Sequence, residues 1–284
     1  MTALTVSSHH SEFPVLRVCG LLDVPRSSLY RARSAHVPRS NEELVERIEA
    51  LVLEFPCCGS RGITAHLKKE GRPVGRKLVR RLMREHSLLC QIKRRWVKTT
   101  DSAHGLRKYP NLAKVFALSG PNQVWHSDIT YIRLPRGFCY LAAILDAYSR
   151  KVVGWSMSMN IDAALVLDAL HSAIATRNPA AGWIHHSDQG VQYACRGYVE
   201  AVTGACGRLS MSSKASPYDN AKAESFFATL KKEEVHLEEY LSYQHAKQRI
   251  GRYIDDIYNR RRLHSVLGYA SPEEFEAKIE GAAA

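Results

Sequence analysis

Three consecutive strand-like segments in residues 122–159 constrain the fold of this chain more than any other feature. The segments "QVWHSDITYIRL", "FCYLAAILDAYS" and "KVVGWSMSM" are rich in β-branched and aromatic residues, and "PRG" separates the first two. Downstream lie a helix-like run, "DAALVLDALHSAIATRN", a fourth strand, "GWIHHSD", a short fifth strand, "RLSMS", and a long helix, "NAKAESFFATLKKEEVHLEEY". This order predicts an α/β domain with a mixed sheet flanked by helices.

The residues before this region predict small helical units. Residues 13–34 fit two short helices around a turn, the size of a helix-turn-helix, although a plain helical hairpin fits equally well. The polar stretch 34–41 reads as a linker to a second helical unit. The predicted domains are an N-terminal helix-turn-helix-like segment (1–36), a basic helical DNA-binding domain (41–98), a connector (99–121), the mixed-sheet domain (122–240) and a C-terminal helical extension (241–284).

The positive charge of the chain is concentrated in one of these helical units. Of a net charge of +12 over 284 residues, the stretch 68–98 contributes twelve Lys or Arg against Glu70 and Glu85. Within "GRKLVRRLMREHSL", helical spacing places Leu78, Val79, Leu82, Met83 and His86 on one face. The opposite face carries four cations, Lys77, Arg80, Arg81 and Arg84. A helix with one apolar face and an opposite face that carries only positive charge favours contact with DNA phosphates over an ordinary solvated surface.

Membrane and disulfide-rich classes fit the sequence poorly. The most apolar run, Tyr140–Leu145, is far too short to span a bilayer, and residues 1–12 contain no apolar signal core. The seven cysteines form no CxxC pair and no recognisable zinc spacing. We therefore expect reduced thiols and a cytoplasmic protein.

Three widely separated acids are the candidate catalytic residues. Asp128 lies inside the first strand, Asp188 closes the fourth, and Glu224 lies early in the last helix, on the same side as Asn220 and Lys231. Each alone has a plain alternative as a cap, a turn residue or a solvated charge. Together, adjacent strands and a helix would bring two Asp and a Glu to one edge of the sheet. Such oxygen ligands suit Mg²⁺ or Mn²⁺.

The motifs around these acids carry a family resemblance. The sequence resembles the catalytic core of DDE transposases and retroviral integrases, and more narrowly OrfB of the bacterial insertion-sequence family called IS-three. The 35 residues between Asp188 and Glu224 match the spacing for which that group is known, and the resemblance spans about residues 13–276. The motifs are "WHSDITYI", "LDAYSRKVVGW", "HHSDQGVQY", "SMSSKASPYDNAKAESFFATLKKE", "GITAHLKKEGRPVGRKLVRRLMRE" and "YNRRRLHSVLGYASPEEF".

The resemblance implies an RNase H-like fold and a transposase that cleaves DNA to leave a 3′ end and then joins strands. It implies that Asp128, Asp188 and Glu224 hold two Mg²⁺ ions, for which Mn²⁺ substitutes. The implied DNA-contacting residues include Asn220 and Lys231, besides the four cations of the basic helix. The implied partners are the terminal inverted repeats of an element, target DNA and further copies of the chain on DNA. The upstream-frame protein, or a fusion with it, is a further implied partner, because the family commonly makes a longer fusion and this chain starts after the upstream part.

Two other functions fit part of the pattern: an RNase H-like nuclease that cuts without joining, and a non-catalytic DNA-binding regulator. His185 and His186 invite a zinc hypothesis, but the resemblance implies structural roles. Asp146 and Asp219 are interpreted as caps, of the turn into "YSRK" and of the last helix.

Overall fold

The computed structural model describes residues 19–20, 25, 41–89, 107–213 and 219–283. The helical pair expected at 13–34 lies outside the described residues, except for Cys19, Gly20 and Pro25. The chain divides into two compact units, Met1–Ala50 and Leu51–Ala284. The five domains inferred from the sequence, with their finer boundaries, stay predictions.

Within residues 41–89, three helices precede the sheet: α1 (Glu42–Glu54), α2 (Ser60–Lys69) and α3 (Arg76–Glu85). Helices α2 and α3 pack against each other, with Ile63 and Leu67 buried on α2 and Val79 and Met83 buried on α3. Gly71, with a φ of 77°, follows α2 in the left-handed conformation that glycine tolerates best. The sharp turn there allows the next helix to return against α2.

Five strands form one mixed sheet in the order β3-β2-β1-β4-β5. The strands are β1 (Val124–Arg133), β2 (Phe138–Asp146), β3 (Val152–Ser158), β4 (Ile184–Ser187) and β5 (Arg208–Met211). Strands β1 to β3 form an antiparallel meander, whereas β4 runs parallel to both β1 and β5. This order and these directions are those of an RNase H-like sheet, so the predicted fold class is confirmed.

Helices cover both faces of the sheet because alternate side chains of a strand point to opposite faces. On one face, β2 residues Leu141 and Ala143 share a core with Phe226 and Leu230 of helix α7 (Ala221–Leu230). On the other face, Ala142 packs with helix α4 (Ala163–Arg177) and with α6 (Arg196–Gly204). The sheet is therefore buried on both sides.

The sequence patterns missed the helices between β4 and β5. A single turn, α5 (Val191–Ala194), and then α6 occupy this connection. The long helix expected at 220–240 is α-helical only to Leu230 and continues as a π-helical segment, Lys231–Val235. Leu237 would share the buried side of Phe226 and Leu230 in a continuous α-helix, but it is 51% exposed because regular helical spacing ends before that residue.

The C-terminal residues form α8 (Tyr243–Arg252), a π-helical segment (Tyr253–Tyr258), a 3-10 turn (Ser265–Leu267) and α9 (Pro272–Ala283). Asn259 bonds both backbone groups of Val152, and Arg177 forms a two-pronged ion pair with Glu276. These contacts fix the end of the chain to β3 and α4. No helix in the described part of the chain has the length and apolar character needed to cross a membrane.

Candidate active site

Asp128 and Asp188 are neighbours because β1 and β4 are adjacent parallel strands. The register pairs His126 with His186, and the same offset two residues farther along places Asp128 beside Asp188, just beyond the last residue of β4. Both acids are half-buried. The Ile129 N–H donates to Asp128 Oδ1 at 2.8 Å, and the Gly190 N–H donates to Asp188 Oδ1 at 2.9 Å. One oxygen of each carboxylate is therefore held by the local backbone.

Glu224 approaches the same place from α7. Ala223 and Phe226 are buried on the apolar side of this helix, whereas Glu224 lies exposed in its first turn. Because α7 packs on β1 and β2, its first turn stands over the strand that carries Asp128. The helix thus brings a third acid to the level at which β4 ends.

Asn220 ties the start of α7 to β1. It is buried, and its Nδ2 donates to the Ser127 carbonyl oxygen at 3.2 Å while its Oδ1 lies 3.2 Å from His126 Nδ1. Asn220 is also the N-cap residue, so the cap expected of Asp219 is wrong. Asp219 instead accepts a hydrogen bond from the Ser213 N–H at 2.9 Å, because it lies one residue too early to cap the helix.

The charges of the two other acids both act on Asp128. Burial raises the pKa of Asp128 to about 7, the negative charge of Asp188 adds to the shift, and that of Glu224 adds less. The Ile129 N–H and the positive charge of Lys231 act in the opposite direction. Asp128 therefore lies in a region of low dielectric constant, where neighbouring negative charge is poorly balanced.

As they lie, these acids do not enclose an ion. Among the described residues, no three His, Cys, Asp or Glu side chains are grouped closely enough to hold one metal together. Like charges keep such carboxylates apart. Mg²⁺ keeps several of its waters and is held in proteins by one or two carboxylates. The donor set therefore fits hydrated, oxygen-seeking cations rather than a closed zinc site.

Lys231 lies on the same side of the helix as Glu224. Its Nζ stands over the ring of Tyr131, 4.6 Å from the centroid. Burial lowers the pKa of Lys231, and the charge of Asp128 opposes that effect. Lys231 is therefore a half-buried cation beside the acids.

Three imidazoles are buried in β1 and β4: His126 and His186 lie on the face that carries the acids, and His185 lies on the opposite face. The rings of His126 and His186 are 5.0 Å apart, and His186 Nδ1 lies 2.8 Å from Ser210 Oγ. His185 Nε2 lies 2.8 Å from the Tyr198 hydroxyl. Burial lowers the pKa of His126 and His185 to about 3 and that of His186 to about 4. These contacts favour the structural roles expected of His185 and His186.

The sequence reasoning overlooked His126 and Ser127. In a strand, residues two apart share a face, so "HSD" already places His126 on the same side as Asp128. That spacing was the available signal. The contact of both residues with Asn220 depends on how α7 packs, which no local pattern encodes.

Helix α3 presents its charges as predicted. Val79, Leu82 and Met83 are buried on its inner face. The outward residues Lys77, Arg80, Arg81 and Arg84 are all exposed. His86, expected on the apolar face, is exposed because the helix ends at Glu85.

Asp146 has the capping role inferred from the sequence. It is fully buried, and its carboxylate accepts from the N–H groups of Asn122, Tyr148 and Ser149. These bonds close the turn between β2 and β3. The carboxylate oxygens of Asp146 are therefore already hydrogen-bonded to backbone groups of the protein.

Family models match most of the described regions. An HTH-like domain covers residues 39–96, and an integrase core domain covers residues 119–217. A second integrase core domain model covers residues 206–272. The sheet, the three acids and the basic helix all lie within these matches.

Curated relatives match nearly the whole chain. The transposase InsF for insertion sequence IS3A of Escherichia coli (strain K12) is 36% identical over 98% of this chain and 99% of its own length. An uncharacterized 31 kDa protein of insertion element IS600 from Shigella sonnei is 37% identical over 94% of this chain and 100% of its own. A chain of the simian T-cell lymphotropic virus intasome is similar at a TM-score of 0.47 and 15% identity, covering 81% of this chain and 74% of that one.

The strand order and the family models establish the fold. The sequence comparison establishes the family, because identity at this level extends from end to end. This chain belongs to the family of IS3 transposases, DDE-type enzymes that bind DNA and act in DNA transposition.

Proposed function

We propose that Asp128, Asp188 and Glu224 are the catalytic carboxylates of this transposase and that they hold two divalent cations, Mg²⁺ or in its place Mn²⁺. The observation that supports the proposal is that acids from β1, β4 and α7 lie near enough for the charges of Asp188 and Glu224 to act on Asp128. When bound, such ions activate a water or a hydroxyl and stabilise charge on phosphate oxygens.

The chemistry at this site has two stages. Hydrolysis of a phosphodiester at the end of the element exposes a 3′-hydroxyl. That hydroxyl then attacks a second phosphodiester, so one P–O bond forms as another breaks and no outside energy source is needed. Asn220 holds α7, and with it Glu224, against β1 through both stages.

Two surfaces position the DNA. The cations of α3 lie along phosphates of the terminal inverted repeats, and Lys231 contacts the phosphates nearest the cut. Asn220, a DNA contact in the sequence interpretation, is better suited to positioning because both polar ends of its side chain already bond the protein. Target DNA enters the same site. Further copies of the chain and the upstream-frame protein complete the assembly on the bacterial nucleoid, in the cytoplasm.

A strand-transfer assay with a pre-cut 3′ end tests this function directly. In Mg²⁺ the wild-type protein should convert labelled donor DNA into joined products with a second duplex. A nuclease that only cuts would shorten the labelled strand and leave no joined product, and that result would overturn the proposal.

The metal assignment has a readout that does not depend on activity. Titration of Mn²⁺ or Mg²⁺ into the metal-free protein should release heat and raise the melting temperature, because the cation binds only the folded site. Asp188→Asn should lose most of both effects. Asp168→Asn, an exposed acid on α4, should lose neither. Equal responses of the two variants would rule out the proposed ligands.

A further inference from the structure

Besides the outer face of α3, a second group of cationic side chains lies on the side of α7 that points away from Glu224. A cleft of about 470 Å³ opens between the start of α2, the residues of α7 that point away from Glu224, and the loop around the 3-10 turn. Helical spacing separates the two flanks, because Lys222, Ser225 and Thr229 line the cleft whereas Glu224 and Lys231 do not. The lining includes five cationic side chains, Arg61, Arg150, Lys222, Lys232 and Arg262.

The two acids in the lining are already neutralised. Glu233 accepts a two-pronged ion pair from Arg262 and a hydrogen bond from the Tyr253 hydroxyl. Glu54 is paired with Arg261. Neither carboxylate is therefore left to balance the remaining cations of the cleft.

Arg150 and Lys222 are half-buried cations that lie near enough to repel each other. The charge of the buried Asp146 acts on Lys222, but no carboxylate among the described residues forms an ion pair with Arg150. Arg150 also adopts a φ of 65°, a left-handed conformation that is unfavourable for a bulky residue. Half-buried cations in such an arrangement favour an anion between them.

The backbone of α2 adds to this positive potential. Gly59, Arg61 and Gly62, at its N-terminus, line the cleft. The N-cap is Gly59, which offers no side-chain cap, and the first turn contains no acid. The free N–H groups and the helix dipole there favour a negative group.

The size of the cleft selects among DNA ligands. A volume near 470 Å³ suits a drug-sized molecule such as one nucleotide. A DNA duplex is too large to enter the cleft, since its major groove alone is about 12 Å wide. The Tyr269 ring lines the cleft and is 41% exposed, so a base has an aromatic surface on which to stack. Both flanks belong to one helix, about 10–12 Å across, so a short unpaired strand can reach from the acids to the cleft.

We infer that this cleft binds an unpaired nucleotide of the DNA strand, with its phosphate between Arg150 and Lys222 and its base against Tyr269. The inference rests on the proposed function only in taking transposition DNA as the source of that strand. It adds a single-strand site to a protein whose other DNA contacts are with a duplex.

Fluorescence anisotropy with two probes tests the inference. One probe is a short blunt duplex, and the other is the same duplex with an unpaired 3′ extension, both titrated with full-length protein in EDTA. Arg150→Gln and Lys222→Gln should each weaken binding of the extended probe about tenfold and reduce its salt slope by about 0.7. Tyr269→Ala should weaken it by a similar factor, and Tyr269→Phe should restore it.

Matched controls separate this site from general charge and from the acids. Arg196→Gln removes a cation from an exposed position on α6 and should leave the preference for the extended probe unchanged. Glu224→Gln should also keep that preference. Failed strand transfer by the wild-type protein, together with intact discrimination between the two probes, would refute the catalytic proposal alone. If folded Arg150→Gln and Lys222→Gln bind the extended probe like the wild type, or lose affinity equally for both probes, the inference is overturned. Circular dichroism establishes folding, and should one variant not fold, Tyr269→Ala and the other variant decide.

Discussion

The acid cluster and the outer face of α3 each gather charge of one sign, but they do so in opposite surroundings. On α3, the cationic side chains point into solvent while Val79, Leu82 and Met83 anchor the helix. Around Asp128 the charges are confined, and burial with two neighbouring acids raises its pKa to about 7. Water and salt screen the first group, whereas the second group is screened far less.

This difference separates two uses of charge. Exposed cations act on DNA as a sum, so each one contributes a modest and replaceable share of affinity. Confined carboxylates repel one another until a cation joins them, so each one is needed for the arrangement to work. Loss of a single charge should therefore be mild on α3 and severe beside β1.

The largest effect is expected from removing one confined acid. Asp128→Asn, Asp188→Asn or Glu224→Gln should each lower cleavage and joining by about 10³-fold or more, because the cations lose a ligand. DNA affinity should stay near the wild-type value. Gel-based cleavage assays and anisotropy on the same preparations measure both quantities, with Asp168→Asn as the matched acid. Full cleavage in Mg²⁺ by any folded member of the set would remove the basis of the comparison.

Much of this contrast was predictable from the sequence, since strand and helix periodicity is local. The β-branched and aromatic residues of "WHSDITYI" and the helical spacing in "GRKLVRRLMREHSL" indicated β1 and α3 correctly. The motif resemblance singled out Asp128, Asp188 and Glu224, whose roles stay a proposal.

The parts that escaped prediction depend on contacts between distant segments. Helix α6 has no capping side chain in its hydrogen-bonding pattern, and the π-helical segment after Leu230 interrupts regular spacing. Asn220 was placed on the DNA side of its helix, yet it is buried against Ser127 and His126. A helical wheel cannot show which strand a helix end will meet.

Acidification should weaken the fold through the buried His185. His185 has a pKa lowered by burial to about 3, against 6.5 in an unfolded chain. The unfolded chain therefore takes up a proton that the folded chain refuses, so the stabilisation is present above pH 6.5 and is lost as pH falls toward 3. One such group changes the free energy of unfolding by about 1.4 kcal/mol per pH unit in that window.

Urea unfolding between about pH 7.5 and 4.5 measures this slope. His185→Gln should be less stable near neutrality, because it loses the Tyr198 contact, but its slope should be shallower by up to one proton. His171→Gln, at an exposed position on α4, should keep the wild-type slope. Unchanged slopes in both variants would mean that His185 accepts a proton in the folded chain.

A substitution at Asn220 tests whether this residue positions α7 through contacts within the protein or instead contacts DNA. Asn220→Ala leaves His126 and the Ser127 carbonyl without a buried partner, which should cost about 1–3 kcal/mol of unfolding free energy. Cleavage should also fall about 10-fold to 100-fold, because Glu224 shifts. DNA affinity should stay the same. Asn160→Ala, at an exposed position after β3, is the control. If stability is unchanged and DNA affinity drops, Asn220 is a direct DNA contact, as the sequence first indicated.

The smallest effects should come from α3. Arg80→Ala or Arg84→Ala should each weaken duplex binding several-fold and reduce the slope of log affinity against log salt by about 1, with no change in the rate of joining once DNA is saturating. The double variant should reduce the salt slope by about 2, because each of the two cations neutralises one phosphate. Anisotropy at several salt concentrations gives the slopes, and Arg196→Ala supplies a cation outside the helix. A loss of joining at saturating DNA would show that α3 aligns the strand at the acids, and the two charged regions would then be coupled rather than separate.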